Sequence, residues 1–325
     1  MKRRMFTVIA IMVITFVPLY AQSENDFEIR QNAQGGITIT GYTGNIRQVV
    51  IPATISGLRV TEIAANAFSR SNLTAITIPN GVTAIGDFAF VDSNYGFHRT
   101  VNSFQELIIP DSVARIGNFA FAYCGIQNIN LGNGLQYIGG GAFNGNAIED
   151  LVIPDSVTEI FGNILNSGTF ANCGIKTLKL GARLAIIGEK AFADNMITEL
   201  TFPASLKTIG GEAFSRNKLT TLVIPNGVRY IAQDSWGRGP FHENPITSIN
   251  IPPSLAPNVR NDWDNSGNQG FAGGFTRLPI TSITLPANVS QDNLTQFGES
   301  FINFWNLQGK KAGTYILNGR IWTVQ

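Results

Sequence analysis

One stretch decides the fold of this 325-residue chain: the sequence IPDSVARIGNFAF at residues 109–121. It opens with an apolar residue and Pro110, continues with apolar side chains at Val113 and Ile116, and ends in Ala-Phe at Phe121. The same order of residue types returns along the chain, which indicates an internal repeat. One such unit cannot bury its apolar side alone, so neighbouring units must stack to make a core.

The Ala-Phe position sets the period of the repeat. Uninterrupted units are 22 residues long, and eight of nine repeat phenylalanines are followed ten residues later by Ile, Leu or Phe and then by Pro or Gly. The exception is Phe90, after which nine extra residues come before Ile109-Pro110. The nine positions are Phe68, Phe90, Phe121, Phe143, Phe170, Phe192, Phe214, Phe241 and Phe275.

Each unit contains one short alternating segment. Apolar residues stand eight and ten positions after the Phe, as in Leu222 and Ile224, and Asn or Cys stands three positions after it, as in Asn217. This alternation predicts a half-buried strand that ends at Pro or Gly. We therefore predict a repeat solenoid of about nine to ten 22-residue coils with one parallel sheet.

Both ends of the repeat region indicate hairpin caps. Polar and apolar residues alternate around Gly35-Gly36, and Asn318-Gly319 lies between two strand-like runs, which is a strong signal for a β-hairpin. We assign residues 22–50 to an N-terminal hairpin cap and first strand, 51–290 to the solenoid, and 291–325 to a C-terminal cap.

The repeat resembles the leucine-rich repeats of BspA-like bacterial surface proteins. The resemblance rests on the unit I-P-x-S-V-x-x-I-G-x-x-A-F-x-x-N/C and covers about residues 41–290. It implies a leucine-rich repeat solenoid and a cell-surface or secreted role in adhesion to host or bacterial macromolecules.

The N-terminus predicts export. Three basic residues, Lys2, Arg3 and Arg4, precede an apolar run over residues 5–17, which is shorter than the roughly 20 residues of a membrane-spanning helix. We predict a signal peptide at residues 1–21, no transmembrane segment in the mature chain, and a location at the cell surface or in the medium. A periplasmic location is the alternative.

Composition restricts the partners and the chemistry. The net charge is +1, so we expect no nucleic acid partner, and we expect no cofactor. Cys124 and Cys173 lie two coils apart, about 10 Å, which is too far for a disulfide and predicts free, buried thiols in the place of Asn. His98 and His242 lie too far apart to share a site. A hydrolase built around either one is a remote alternative, because no nucleophile-elbow motif accompanies it.

One segment resembles the opening of a calcium loop. Asp262, Asp264 and Ser266 occupy the first three ligand positions, but Gly273 stands where the loop needs a bidentate Glu. We predict a polar loop without a metal, and Ca²⁺ at these three residues is the alternative.

Length-breaking insertions carry the candidate binding residues. Three of them, at residues 161–168, 233–239 and 259–274, precede the repeat Phe and should emerge on one side of the solenoid. They bring Trp236, Trp263 and Phe271, and a fourth insertion on another side brings Tyr95 and Phe97. Exposed aromatic residues are common binding anchors. The alternative is that these side chains fold back onto the coil.

Together these features predict an exported, non-enzymatic binding protein. We expect a monomer that binds a protein or glycoprotein through the repeat sheet and the aromatic insertion loops. The alternative is a periplasmic scaffolding protein without an external ligand.

Overall fold

The computed structural model describes residues 22–91, 102–162, 167–252, 278–286, 299–318 and 321–325. The predicted signal peptide at residues 1–21 lies outside these ranges. Within them the chain winds into a solenoid whose turns hydrogen-bond to one another, which confirms the predicted leucine-rich repeat fold.

In the described ranges the regular elements are mostly strands of two to six residues, with one short 3-10 helix at Glu24–Asp26 and one α-helix, α1, at Glu299–Leu307. The strands are β1 (Phe27–Gln31), β2 (Ile37–Tyr42), β3 (Gln48–Val50), β4 (Thr54–Ile55), β5 (Leu58–Ile63), β6 (Ala75–Thr77), β7 (Ala84–Ile85), β8 (Glu106–Ile108), β9 (Arg115–Ile116), β10 (Asn128–Asn130), β11 (Tyr137–Ile138), β12 (Asp150–Val152), β13 (Glu159–Ile160), β14 (Thr177–Lys179), β15 (Ile186–Ile187), β16 (Thr208–Ile209), β17 (Thr221–Val223), β18 (Tyr230–Ile231), β19 (Ser248–Asn250), β20 (Ser282–Leu285), β21 (Gly313–Asn318) and β22 (Ile321–Val324).

The three- and four-residue strands form where the alternation predicts them, but they pair in groups. Strand β3 pairs with β6, β8 with β10, β12 with β14, β17 with β19, and β19 with β20. Residues 199–201 occupy the equivalent position between β14 and β17 without forming a strand. We call the three- and four-residue strands of these paired groups the long strands.

A second ladder of parallel strands runs along the solenoid without interruption. Its order is β5-β7-β9-β11-β13-β15-β16-β18, and β2 precedes β5. From β7 onward each strand consists of two residues, one with a half-buried or exposed side chain and one buried Ile, as in Tyr137 and Ile138. We call it the short-strand ladder. Two residues are too few to produce an alternating pattern, so the sequence predicted no strand here.

A column of phenylalanine rings fills the interior. Eight repeat phenylalanines from Phe68 to Phe241 are fully buried, and neighbouring rings stack at centroid distances of 4.7–5.9 Å. The ninth, Phe275, lies outside the described residues. Interplanar angles of 5–13° show that each turn repeats the last with little rotation.

Buried asparagines three positions after the Phe join one turn to the next. The Asn195 side chain donates to the carbonyls of Phe170 and Phe192 at 2.9 and 3.1 Å, and its Oδ1 accepts from the Ile175 amide at 3.0 Å. Asn146, Asn217 and Asn244 make the same kind of bonds, and Asn102, which follows the insertion after Phe90, makes them as well. These side chains satisfy backbone groups that would otherwise be buried without partners.

Both cysteines are free and buried, as predicted, and they take the place of Asn in this ladder. The Cys173 thiol lies 3.1 Å from the carbonyl oxygen of Phe143, and the Cys124 thiol lies 3.9 Å from that of Phe90. Burial raises the pKa of both thiols, for Cys173 to about 12.

Antiparallel hairpins occupy both ends. Strands β1 and β2 pair with Phe27 opposite Tyr42. At the other end β20 pairs with β21, and β21 pairs with β22, so that Leu317 lies opposite Trp322. The Phe301 ring of helix α1 packs 4.7 Å from Trp322, which closes the core behind the last long strand.

Candidate functional site

The structure describes one of the predicted binding residues, Trp236. Its side chain is 80% exposed, so it does not fold back onto the coil. The other predicted binding residues and the calcium candidates lie outside the described residues. They are Tyr95, Phe97, Trp263, Phe271, Asp262, Asp264 and Ser266, and His98 lies outside them as well.

Trp236 stands at the tip of a tight loop that follows β18. The Asp234 carboxylate accepts hydrogen bonds from the backbone amides of Trp236 and Arg238, at 2.9 and 2.7 Å. Gly237 takes a φ of +76°, a left-handed conformation that glycine adopts without strain. The loop is therefore ordered from beneath while the indole remains in solvent.

An ion-pair cluster supports the base of this loop. The Arg238 guanidinium lies 2.7 Å from Asp234 and 3.1 Å from the carboxylate of Glu212, which is completely buried. Arg216 and Lys190 contact the same carboxylate at 3.3 and 3.5 Å. A buried carboxylate is stable only when it is paired, and removing its partners is strongly destabilising. Glu212 thus ties the loop to the two preceding turns.

Charge within the cluster is balanced. Asp194 pairs with Arg216 through two guanidinium nitrogens, and this pairing raises the pKa of the arginine. Burial by itself would raise the pKa of Asp234, but hydrogen bonds from Arg238 and from the Trp236 amide hold that pKa below its ordinary value. Three cations therefore meet three carboxylates, so the cluster orders the loop without creating a charged surface.

A second group of aromatic side chains, none of them among the predicted binding residues, lies on the short-strand ladder. The Tyr137 and Phe161 rings are 5.3 Å apart, and the Arg115 guanidinium lies 4.0 Å above the Tyr137 ring. Phe161 is 38% exposed, and Ile186 on the neighbouring strand is exposed to a similar degree. One sequence feature could have indicated this group: the residue before the buried Ile of each ladder strand is Tyr in β11 and β18.

Phe161 and Trp236 emerge along the same border of the short-strand ladder, beyond the C-terminal ends of its strands. Phe161 directly follows β13, and the Trp236 loop follows β18. Three strand steps separate β13 from β18, which corresponds to about 14 Å along the solenoid. We define Tyr137, Phe161, Ile186 and Trp236 as the ladder-edge surface. Phe161 and Trp236, from the insertions at residues 161–168 and 233–239, therefore lie on one side of the solenoid, as expected, whereas the third insertion at residues 259–274 lies outside the described residues.

The long strands present a different surface. Six of their fourteen exposed residues are Thr or Asn, and four apolar side chains are more than half exposed. These are Val50, Ile108, Val152 and Val223, each on the first strand of a paired group. Where the pairing stops after β14, an open groove of about 740 Å³ lies between Lys179 and Glu199. This face carries no aromatic side chain within the described long strands.

His242, the residue considered for a hydrolase, is buried next to Phe241. Its Nε2 lies 3.1 Å from the carboxylate of Glu243. Across the described ranges, no three His, Cys, Asp or Glu side chains come together in a way that could hold a metal ion. A helix long and apolar enough to cross a membrane is likewise not found in the part of the chain that the structure describes.

Two solved structures of bacterial leucine-rich repeat proteins are similar to this chain. The chain is similar to a leucine-rich repeat protein from Bacteroides ovatus, with 23% identity and a TM-score of 0.50, over 71% of this chain and 65% of that chain. It is also similar to a leucine-rich repeat protein from Eubacterium ventriosum, with 19% identity and a TM-score of 0.38, over 83% and 81% of the two chains. The chain therefore spans about two thirds of the length of the first of these proteins. No curated protein matches it.

The repeat itself matches a known family. The BspA type leucine-rich repeat region occurs in six copies over residues 41–95, 93–167 and 162–261. These residues are most of the solenoid and well over half of the chain. The chain therefore belongs to the BspA-type leucine-rich repeat family.

Proposed function

We propose that this chain is an exported, non-enzymatic protein that binds a protein or glycoprotein ligand, with a role in adhesion at the cell surface. The ladder-edge surface is the binding site, and Trp236 is its anchor. The polar long strands supply additional contacts. The proposal keeps the predicted signal peptide at residues 1–21 as the route of export.

One observation carries the proposal: an indole that is 80% exposed on a loop held by an ion-pair cluster around the buried carboxylate of Glu212. Trp residues are enriched among the side chains that dominate binding energy at interfaces. A loop that is already ordered loses little conformational entropy when a ligand binds. Phe161 and Ile186 extend the apolar area along the same edge. Family membership supports the choice of a macromolecular ligand, because repeat solenoids offer extended binding surfaces.

The test is a matched pair of substitutions. Trp236→Ala removes the anchor, and Leu307→Ala removes an equally exposed apolar side chain on α1, far along the chain. Both variants are assayed by surface plasmon resonance against immobilised extracellular-matrix glycoproteins and against whole bacteria. We expect Trp236→Ala to weaken binding by about 30-fold or more, since an anchor residue contributes at least ~2 kcal/mol. Leu307→Ala should bind as the wild type does.

Two further measurements separate binding from stability and from location. The Trp236→Ala variant should keep its melting temperature, because its side chain makes few contacts in the folded chain. Unchanged affinity in a well-folded Trp236→Ala variant would contradict the assignment of the anchor. Protease treatment of intact and lysed cells, followed by immunodetection, tests export. Protection until lysis would contradict the adhesion role and favour the periplasmic scaffold.

A further inference from the structure

Strand β22 is the outermost strand of the C-terminal sheet in the part of the chain that the structure describes, and one of its edges is open there. Among the described residues it pairs with β21 alone, and its four residues Ile321–Val324 carry no charge. The edge strand at the other end of the molecule, β1, contains Glu28, Arg30 and a bulge. Charges and bulges are the usual features that prevent one sheet edge from pairing with another. Strand β1 therefore has both protective features, and strand β22 has neither.

The pairing of β21 with β22 fixes which backbone groups face outward. Gln325 donates its amide hydrogen to the Thr314 carbonyl at 2.9 Å, so Tyr315 and Val324 form a pair that is not directly hydrogen-bonded. In an antiparallel strand, the N–H and C=O groups of successive residues point alternately toward one neighbouring strand and away from it. Trp322 and Val324 therefore point their N–H and C=O groups away from β21. The open edge presents two donors and two acceptors in a straight row.

We propose that β22 pairs in antiparallel fashion with β22 of a second copy of this chain. The two-fold axis passes between the two Thr323 residues. Trp322 then lies opposite Val324 of the partner subunit, and both pairs exchange N–H and C=O groups. Four hydrogen bonds result, and the two five-stranded sheets become one continuous sheet. The strand is its own complement in this register.

The side chains favour the same register. Thr323 meets Thr323 of the partner subunit on one face, and Trp322 meets a valine on the other. Cross-strand Thr–Thr and aromatic–β-branched pairs are both stabilising. The exposed Ile321 side chain, at 69%, lies opposite Gln325 of the partner subunit, so no like charges are brought together. Because the contact is small, we expect a dimer that forms and dissociates with concentration. This inference revises the expectation of a monomer.

Disulfide trapping tests the register directly on the mature chain. In Thr323→Cys the two thiols lie on the axis, where the Cα atoms of such a pair are about 4.5 Å apart, within the range of a disulfide. In Ile321→Cys the two cysteines are offset by four residues along the paired strands, about 13 Å, and cannot form a disulfide. Cys124 and Cys173 are buried and should not react. We expect mild oxidation to give a covalent dimer from Thr323→Cys and none from Ile321→Cys or the wild type.

Sedimentation velocity on the wild type and on Val324→Pro provides the second test. Proline removes one outward-facing amide hydrogen, so dimer formation at about 100 μM should be lost in the variant. Equal cross-linking of the two cysteine variants would overturn the register. A wild type that stays monomeric at every concentration, or an edge that pairs only with strands of other proteins, would overturn the proposal of a self-paired dimer.

Discussion

Replacement of Asn195 by alanine should cost this protein more stability than an ordinary buried polar substitution. The Asn195 side chain is 4% exposed and lies between two turns of the solenoid. Its Oδ1 accepts from the amides of Cys173 and Ile175 at 3.1 and 3.0 Å, and its Nδ2 donates to the carbonyls of Phe170 and Phe192. One alanine removes all of these bonds and offers none in return.

The expected magnitude follows from the two amide hydrogens. Carbonyl oxygens have a second lone pair that can engage a neighbour, but the amides of Cys173 and Ile175 each lose the side-chain oxygen to which they donate. A buried donor left without a partner costs about 1–3 kcal/mol. We therefore expect Asn195→Ala to lower the free energy of unfolding by about 2–6 kcal/mol. The control is Asn128→Ala on the exposed face of β10, which should change it by less than about 0.5 kcal/mol.

Urea unfolding measured by circular dichroism gives the two free energies, and hydrogen exchange locates the loss. Turns of a solenoid contact only their neighbours, so the destabilisation should be concentrated near the mutated turn. Amide exchange should accelerate most for the peptide that contains Cys173 and Ile175. If Asn195→Ala costs less than about 1 kcal/mol, or if exchange rises evenly along the chain, the ladder does not join the turns as we argue.

Three further predictions concern the thiols, one close backbone contact and acid stability. Because burial raises the pKa of Cys124 and Cys173, a thiol reagent at pH 8 should label neither residue in the folded protein and both in guanidinium, as read by mass spectrometry. Gly141→Ala should destabilise the protein by clearly more than Gly174→Ala in urea unfolding. Both glycines have positive φ angles. A Cβ at position 141 would lie 2.3 Å from the Phe119 ring of the preceding turn, whereas a Cβ at position 174 would point into open space. The lowered pKa of Asp234 means that its charged form stabilises the fold at neutral pH. That contribution is lost as pH falls through the folded-state pKa, so the stability of Asp234→Asn should depend less on pH below about 4 than that of the wild type.

The ladder-edge surface shows why sequence reasoning found only part of the candidate site. Trp236 was found because its insertion interrupts the 22-residue period and carries an aromatic residue. Tyr137 and Ile186 were missed because they keep the period and occupy strands of only two residues. Their proximity to Phe161 depends on turns that are stacked in space but separated by more than 20 positions in sequence. No local pattern reports which of them are neighbours or which are exposed.

The sequence by itself determined the coil. The recurring Phe requires a stacked core, Pro or Gly ends each long strand, and Asn or Cys three residues after the Phe marks the internal ladder. These features depend on the identity of residues within one turn, and periodicity reveals them. Tertiary structure decided how turns meet. It set the grouping of the long strands, the continuity of the short-strand ladder and the cluster that joins Lys190, Glu212 and Arg238. Those outcomes depend on distances between turns, which side-chain type alone does not specify.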